Sequence, residues 1–467
     1  MLSKGILNFK DKGDLYMSKT QKVVLGLLSG ALAVGVTACG TSSKKDSEGT
    51  KAPATSTAPA ATNKASDEKV TITFQNIYPD PSTPSAKTLA KIVADYTAAH
   101  PNVKIELDSL NTDQQKIKLK TQAASQELPD ITIVNPAAQM EPYVKEGLLA
   151  PLNDMLDQNG LKDTFQTGIL DFYTFDNNTY ALPDGNNVGV MFYNKALFKQ
   201  AGIANTPTTF DELLADVKTL KDKGIQPMVI GEKDSWTGSF LFMNVLLRTN
   251  NGPGFLKDVL DKKKTFNDPA FVEAVDSFQK LVQAGAFQAG ATSVDYNAGE
   301  NLFKTGKAAM YYMGSWATGS IDGSQVGKDV GVFKFPTING KGNVDEFMLA
   351  PGSAFAISAK SEHLQATKDF LNYFMLNYPK VKFDNKDIVG VAQKVDADLK
   401  AAGYSDLAVE INGMFSAVKG GDLAFDNTMN PATAQEHLNA IQNLFVQKTD
   451  SAAVAKQHQT AFEANNK

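Results

Sequence analysis

Residues 70–135 leave few folds open to this chain. Val70, Ile72 and Phe74 alternate with polar residues, and so do Val103, Ile105 and Leu107, which is the period of a strand. Between the two runs Thr83 can cap a helix and Pro84 suits its first turn, while Leu89, Ile92, Val93 and Tyr96 recur on one face. Residues 113–124 form a second helical stretch. Residues 129–135 (PDITIVN) form a third strand whose continuous apolar character fits burial on both faces. An order of strand, helix, strand, helix, strand predicts parallel pairing in a doubly wound α/β sheet. In such sheets ligands sit beyond the carboxyl ends of the strands. That geometry nominates Tyr78 and Asp80 after the first strand and Asn135 after the third.

A chain of 467 residues that is 42% hydrophobic is long enough for two cores. About 400 residues remain for them once a leader and a polar tether are set aside. Residues 180–203 read YALPDGNNVGVMFYNKALFKQAGI. Turn chemistry at Asp184, Gly185, Asn186 and Asn187 leads into alternating Val188, Val190 and Phe192, then a helix with Leu197, Phe198 and Ala201 inward and Gly202 at its end. Residues 210–223 and 271–283 read as further helices, and 227–230 as a strand. Residues 303–316 (FKTGKAAMYYMGSW) place a short strand before Trp316.

These two stretches resemble the signatures of extracellular solute-binding proteins of ABC transporters, and more closely those of their sugar-binding branch. The resemblance runs from about residue 70 to the C-terminus, with only compatible patterning between the motifs. It implies a two-lobe, periplasmic-binding-protein-like fold with a ligand cleft between the lobes and three hinge crossings. On that reading residues 347–359 return the chain to the first lobe, bending at Pro351 and Gly352, and residues 384–391 form the third crossing. The expected division is 70–185 with 347–388 for the first lobe, and 188–346 with 391–467 for the second. A helix at 365–375 and a C-terminal helix with Ala434, Leu438, Ile441, Leu444 and Phe445 on one face complete the pattern.

Residues 23–38 are apolar, follow Lys19 and Lys22, and end in Val36-Thr37-Ala38-Cys39-Gly40. The run is short for a membrane span and has the charged front and small-residue exit of a secretory signal, so residues 1–38 read as a leader, with Met17 an alternative start. It resembles a bacterial lipoprotein signal, which implies that Cys39, the sole cysteine, carries lipid. No disulfide can form within such a chain. Residues 39–69 are rich in Ser, Thr, Ala, Lys and Pro and read as a tether without enough apolar surface to fold. The expectation is a monomer anchored on the extracellular face of the cell membrane, delivering its ligand to permease subunits of an importer.

Trp236 and Trp316 are the only tryptophans. Both fall beside expected cleft loops, where a flat aromatic face suits a sugar ring, although either could instead anchor a core. Asn76, Asp80, Asn135, Asn186, Asn187, Glu232, Asp426 and Asn427 supply the amides and carboxylates that bind sugar hydroxyls, and turn formation or helix capping is the competing role for the loop asparagines. Arg248 is the only arginine, so the bidentate fork favoured for phosphate or carboxylate ligands is nearly absent and the ligand is expected to be neutral. A net charge of −5 without long single-sign blocks gives no footprint for nucleic acid. Residues 323–329 imitate a phosphate-binding loop but are one residue short and carry Asp329 where Ser or Thr would hold magnesium. His100, His363, His437 and His458 are isolated in sequence, and no Gly-x-Ser-x-Gly elbow occurs. No metal, cofactor or catalytic group is expected. The alternatives are a secreted glycan-active enzyme, since a carboxylate pair need not be close in sequence, and a polysaccharide-binding adhesin.

Overall fold

A computed structural model describes residues 69–466. The leader, Cys39 and nearly all of the tether lie outside the described residues. The strands are β1 (Val70–Asn76), β2 (Val103–Ser109), β3 (Ile131–Val134), β4 (Thr174–Phe175), β5 (Asn178–Thr179), β6 (Ala181–Pro183), β7 (Asn187–Asn194), β8 (Met228–Val229), β9 (Met310–Gly314), β10 (Val330–Phe333), β11 (Glu346–Ala350), β12 (Ala354–Ile357) and β13 (Gly420–Leu423).

They build two principal sheets. The first runs β2-β1-β3-β12-β6, with β1 parallel to both β2 and β3, and β12 antiparallel to β3 and β6. The second runs β13-β11-β7-β9-β8, with β10 also on β7. The parallel trio follows from the alternation in residues 70–135: two helical crossovers force it, and β3 is buried at every position.

Local signals set the helices that flank the first sheet. Thr83 accepts from the Ala86 N–H and Pro84 opens helix Pro84–Ala99, which buries Leu89, Ile92 and Tyr96. Asn111 and Gln114 form a reciprocal capping box before helix Thr112–Ser125. Phe74 meets Phe355, Phe370 and Phe374 edge-on, joining the sheet to helix Leu364–Asp384. That helix was expected to end at 375 but continues through Pro379, because Tyr378 and Val381 extend the buried face of Phe370 and Phe374. In the second lobe a Thr209–Glu212 capping box starts helix Phe210–Asp222, and Gly202, at φ 83°, ends helix Lys195–Ala201.

Three expectations need correction. Phe347 does not return the chain to the first lobe: β11 belongs to the second sheet, between β13 and β7, and the chain crosses at 351–353. Nor does the second lobe resume at 391, since the backbone of Ala392 and Lys394 pairs with Gln166 and Thr164 of the first. The third crossing follows these residues, before helix Asp406–Ala417, and it is loop rather than strand. Alternating apolar residues specify a strand but not the sheet it joins, so both boundaries were legible only to within several residues. Finally, His437 and His458 are not isolated. Helices Pro431–Leu444 and Ser451–Asn465 bring His437 Nδ1 within 2.9 Å of His458 Nε2, with Ser239 on the far nitrogen of His437. Burial lowers both imidazoles, His458 to about 4.

Candidate functional site

The carboxyl ends of β1 and β3 open on a cleft of about 390 Å³, within the size range of small-molecule sites. Its first-lobe wall carries Tyr78, Asp80, Asn135 and Gln139. The second-lobe wall is supplied by helix Trp236–Thr249, helix Tyr296–Lys304, the turn after β9 and the short helix Phe425–Thr428.

Aromatic rings dominate the second wall. Trp236 and Trp316 lie 6.3 Å apart between centroids, with Phe240 5.9 Å from Trp316 and Tyr296 5.2 Å from Trp236. Trp316 is partly buried and its indole N–H donates to the Tyr296 hydroxyl at 3.1 Å, which itself donates to Glu300 at 3.0 Å. Ser320 takes a hydrogen bond from Lys304 and gives one to Glu300, so a chain of hydrogen bonds runs from Trp316 through Tyr296, Glu300 and Ser320 to Lys304. Gly314 lets this happen, because a side chain there would overlap the ring of Trp316. Trp236 is 7% exposed, and its indole N–H is buried without a partner beside the cleft. Across the gap, Lys116 of the first lobe stands 5.8 Å over the Trp236 ring.

The floor is charged and largely self-paired. Tyr78 donates to Asp184 at 3.0 Å, and Lys382 pairs with Asp387 at 2.6 Å while Ser85 donates to the same carboxylate. Burial pushes Asp184 up to about 6, against the opposing pull of Lys382 and the Tyr78 hydrogen bond. At the mouth, hydrogen bonds from Ser82 lower Asp80, which is exposed.

Of the residues expected to meet ligand, Tyr78, Asp80, Asn135, Asn187, Trp236, Trp316, Asp426 and Asn427 all line this cleft. Two do not. Asn186 turns away, donating to Gln166 at 2.8 Å on the opposite side of the crossing, where a separate small cavity lies. Glu232 is 0% exposed and accepts from Thr237 and the Gly238 N–H, so its carboxyl caps helix Trp236–Thr249 from within the lobe. Burial raises that carboxyl to about 8. Asn187 reaches the cleft but is 4% exposed and accepts from Ser315, so much of its capacity serves the crossing. Asn76 is 0% exposed beneath the floor and accepts from the Tyr78 N–H.

Sequence reasoning missed Gln139, Tyr296, Glu300, Lys304 and Lys116. Gln139 follows Asn135 by one short turn, Ala137–Gln139, and the rule that nominated Asn135 could have reached it. Tyr296, Glu300 and Lys304 repeat every four residues on one helix face, a signal visible in the sequence but without direction until the helix is docked. Arg248 is fully buried and gives its guanidinium to the carbonyls of Phe335, Pro336 and Glu346, so it offers nothing to a ligand. Among the described residues no group of three or more His, Cys, Asp or Glu could hold a metal ion, and no helix is long and apolar enough to cross a membrane.

Two α/β lobes crossed three times by the chain, with a ligand-sized cleft between them, define a two-lobe binding protein. Residues 80–377, more than half of the chain, match the bacterial extracellular solute-binding proteins, and the chain belongs to that family. Among its relatives are an ABC transporter extracellular-binding protein of Pyrococcus horikoshii, 26% identical over 59% of this chain and 61% of the relative, and the multiple sugar-binding protein of Streptococcus mutans, 26% identical over 71% and 77%. The chain thus spans about three-fifths of the first relative's length. Two solved structures superpose with a TM-score of 0.77. One, from work on xylan utilization by Caldanaerobius polysaccharolyticus, is 28% identical over 84% of this chain and 99% of its own. The other, a chitin oligosaccharide binding protein, is 27% identical over 85% and 99%.

Proposed function

We propose that this protein captures a neutral oligosaccharide in the interlobe cleft and delivers it to the permease of an ABC importer. The observation that carries this reading is the pairing of walls: Trp236, Trp316, Phe240 and Tyr296 on one side face Asn135 and Asp80 on the other. Flat rings cover the C–H face of a sugar while amides and carboxylates take its hydroxyls. The burial of Arg248 supports a ligand without a phosphate or carboxylate group. The names of the relatives that bind multiple sugars and chitin oligosaccharides point the same way.

On this reading the protein acts as a monomer held at the outer face of the membrane by lipid on Cys39, it has no catalytic role, and it works without a cofactor. Calorimetry with xylo-, malto- and chito-oligosaccharides, beside sugar phosphates and peptides, tests the ligand class. Binding of a peptide or a phosphate in preference to every sugar would overturn it. Chromatography of the same mixtures after incubation tests the absence of catalysis, because a glycan-active enzyme would leave shortened products. Tight binding of long polymer alone would favour an adhesin.

A further inference from the structure

Gln139 stands on the first lobe but spends its side chain on the second. Its amide nitrogen donates to Asp426 Oδ2 and to Asn427 Oδ1, each at 2.7 Å, and its carbonyl oxygen accepts from Asn135 at 3.0 Å. A primary amide has two N–H groups, so both are used. Gln139 therefore has no donor left for a ligand. What it does is fix two side chains of the opposite wall. Asp426, 7% exposed, is held by one oxygen only, and its other oxygen, Oδ1, is buried without a partner in the wall of the cleft. A buried carboxylate oxygen left bare is costly, and a hydroxyl arriving from a ligand satisfies it.

We propose that Gln139 is a positioning residue for ligand recognition: by clasping Asp426 and Asn427 across the cleft it aims Asp426 Oδ1 at a ligand hydroxyl. The inference rests on the cleft being the sugar site. It deepens that reading by naming where specificity is set, since a sugar lacking a hydroxyl at this point leaves the bare oxygen unanswered. The clasp also couples recognition to closure, because Asp426 is aimed only while the two lobes are together.

The charged group acting on Asp426 from a neighbouring element is Lys116 of helix Thr112–Ser125. Behind Phe425, His437 of helix Pro431–Leu444 stacks on that ring at 3.7 Å and is kept neutral by burial. Gln139, Asn135 and Asn427 do not titrate. Gln139→Glu keeps the shape of the side chain but replaces the N–H donors with a carboxylate facing that of Asp426. Two such carboxylates share a proton at acidic pH and repel near neutrality. Gln139→Leu removes the clasp at every pH.

The test is the dissociation constant of xylotriose, maltotriose and chitotriose from pH 5 to 7.5 for wild type and both variants, with melting temperatures as a check on folding. At pH 7.5 both variants bind the preferred sugar about ten- to a hundred-fold more weakly, as expected for losing a charge-assisted hydrogen bond. Toward pH 5 the Gln139→Glu variant regains affinity, while wild type does not tighten and Gln139→Leu stays weak. A Gln139→Glu profile parallel to wild type overturns the clasp, as does a Gln139→Leu variant with wild-type affinity. If wild type binds none of the three sugars, the sugar reading falls and this inference falls with it.

Discussion

Replacing Trp316 with Ala separates a ligand-stacking ring from a core anchor. The ring is partly buried at the cleft wall, 5.9 Å from Phe240 and 6.3 Å from Trp236, and its N–H holds Tyr296. Truncation removes the face available to a sugar and the apolar area beneath it. Loss of a central aromatic contact costs roughly 2 to 4 kcal/mol in binding, or about thirty-fold to nearly a thousand-fold in dissociation constant. Inside the protein it removes one neutral hydrogen bond, an edge-on contact with Phe240 and a tilted one with Trp236, worth about 1 to 3 kcal/mol of stability. Calorimetry for affinity and differential scanning for melting temperature measure the two effects on the same sample. Gly314→Ala is the companion variant: it keeps the indole but displaces it, since the added methyl overlaps the ring. Both variants are expected to lose affinity by more than they lose stability. Unchanged affinity in folded Trp316→Ala would refute the stacking argument and leave Trp236 as the ring that meets the sugar.

Three further outcomes are expected. The Glu232 carboxyl sits near 8 when folded and near its ordinary 4.5 when unfolded, so the native state binds the extra proton between those values and stability falls as pH rises through that window; Glu232→Gln should flatten the fall in melting temperature between pH 5 and 8, and a slope equal to wild type would show that Glu232 does not titrate there. Small-angle scattering should give a smaller radius of gyration with saturating sugar than without, as the lobes close on the hinge, and superimposable profiles would count against closure. Cys39→Ser should release the protein from the membrane fraction of cells, whereas retention at the wild-type level would rule out lipid on Cys39 as the anchor.

The first lobe was the more legible part of the sequence. Periodicity and the cap at Thr83 act over a few residues, and the parallel order of β1, β2 and β3 follows from the helices that link them. Positions at strand ends were legible for the same reason, which is why Tyr78, Asp80 and Asn135 fall on the cleft wall. Glu232 was misjudged because a loop carboxylate near a tryptophan looks the same in sequence whether it faces a cleft or caps a helix; only docking of helix Trp236–Thr249 decides. The Gln139 clasp was out of reach, since it joins residues nearly three hundred positions apart and a lone glutamine has no periodicity to betray it. β13, with two glycines in four residues, carries no strand signal and forms because the edge of β11 is open beside it.

The sheet order also sets when the molecule can assemble. β3 needs β12 on its free edge, and β12 in turn carries β6, so Val134 waits for Ala354 and Pro183 waits for the same strand. The second sheet has a similar dependence, because β11 gains its outer neighbour only with β13 at 420–423. A chain made from its N-terminus therefore has no complete sheet until most of it is present, and its long-range pairings form late. Any product ending before residue 354 leaves the first sheet split between β3 and β6, exposing two strand edges that invite aggregation.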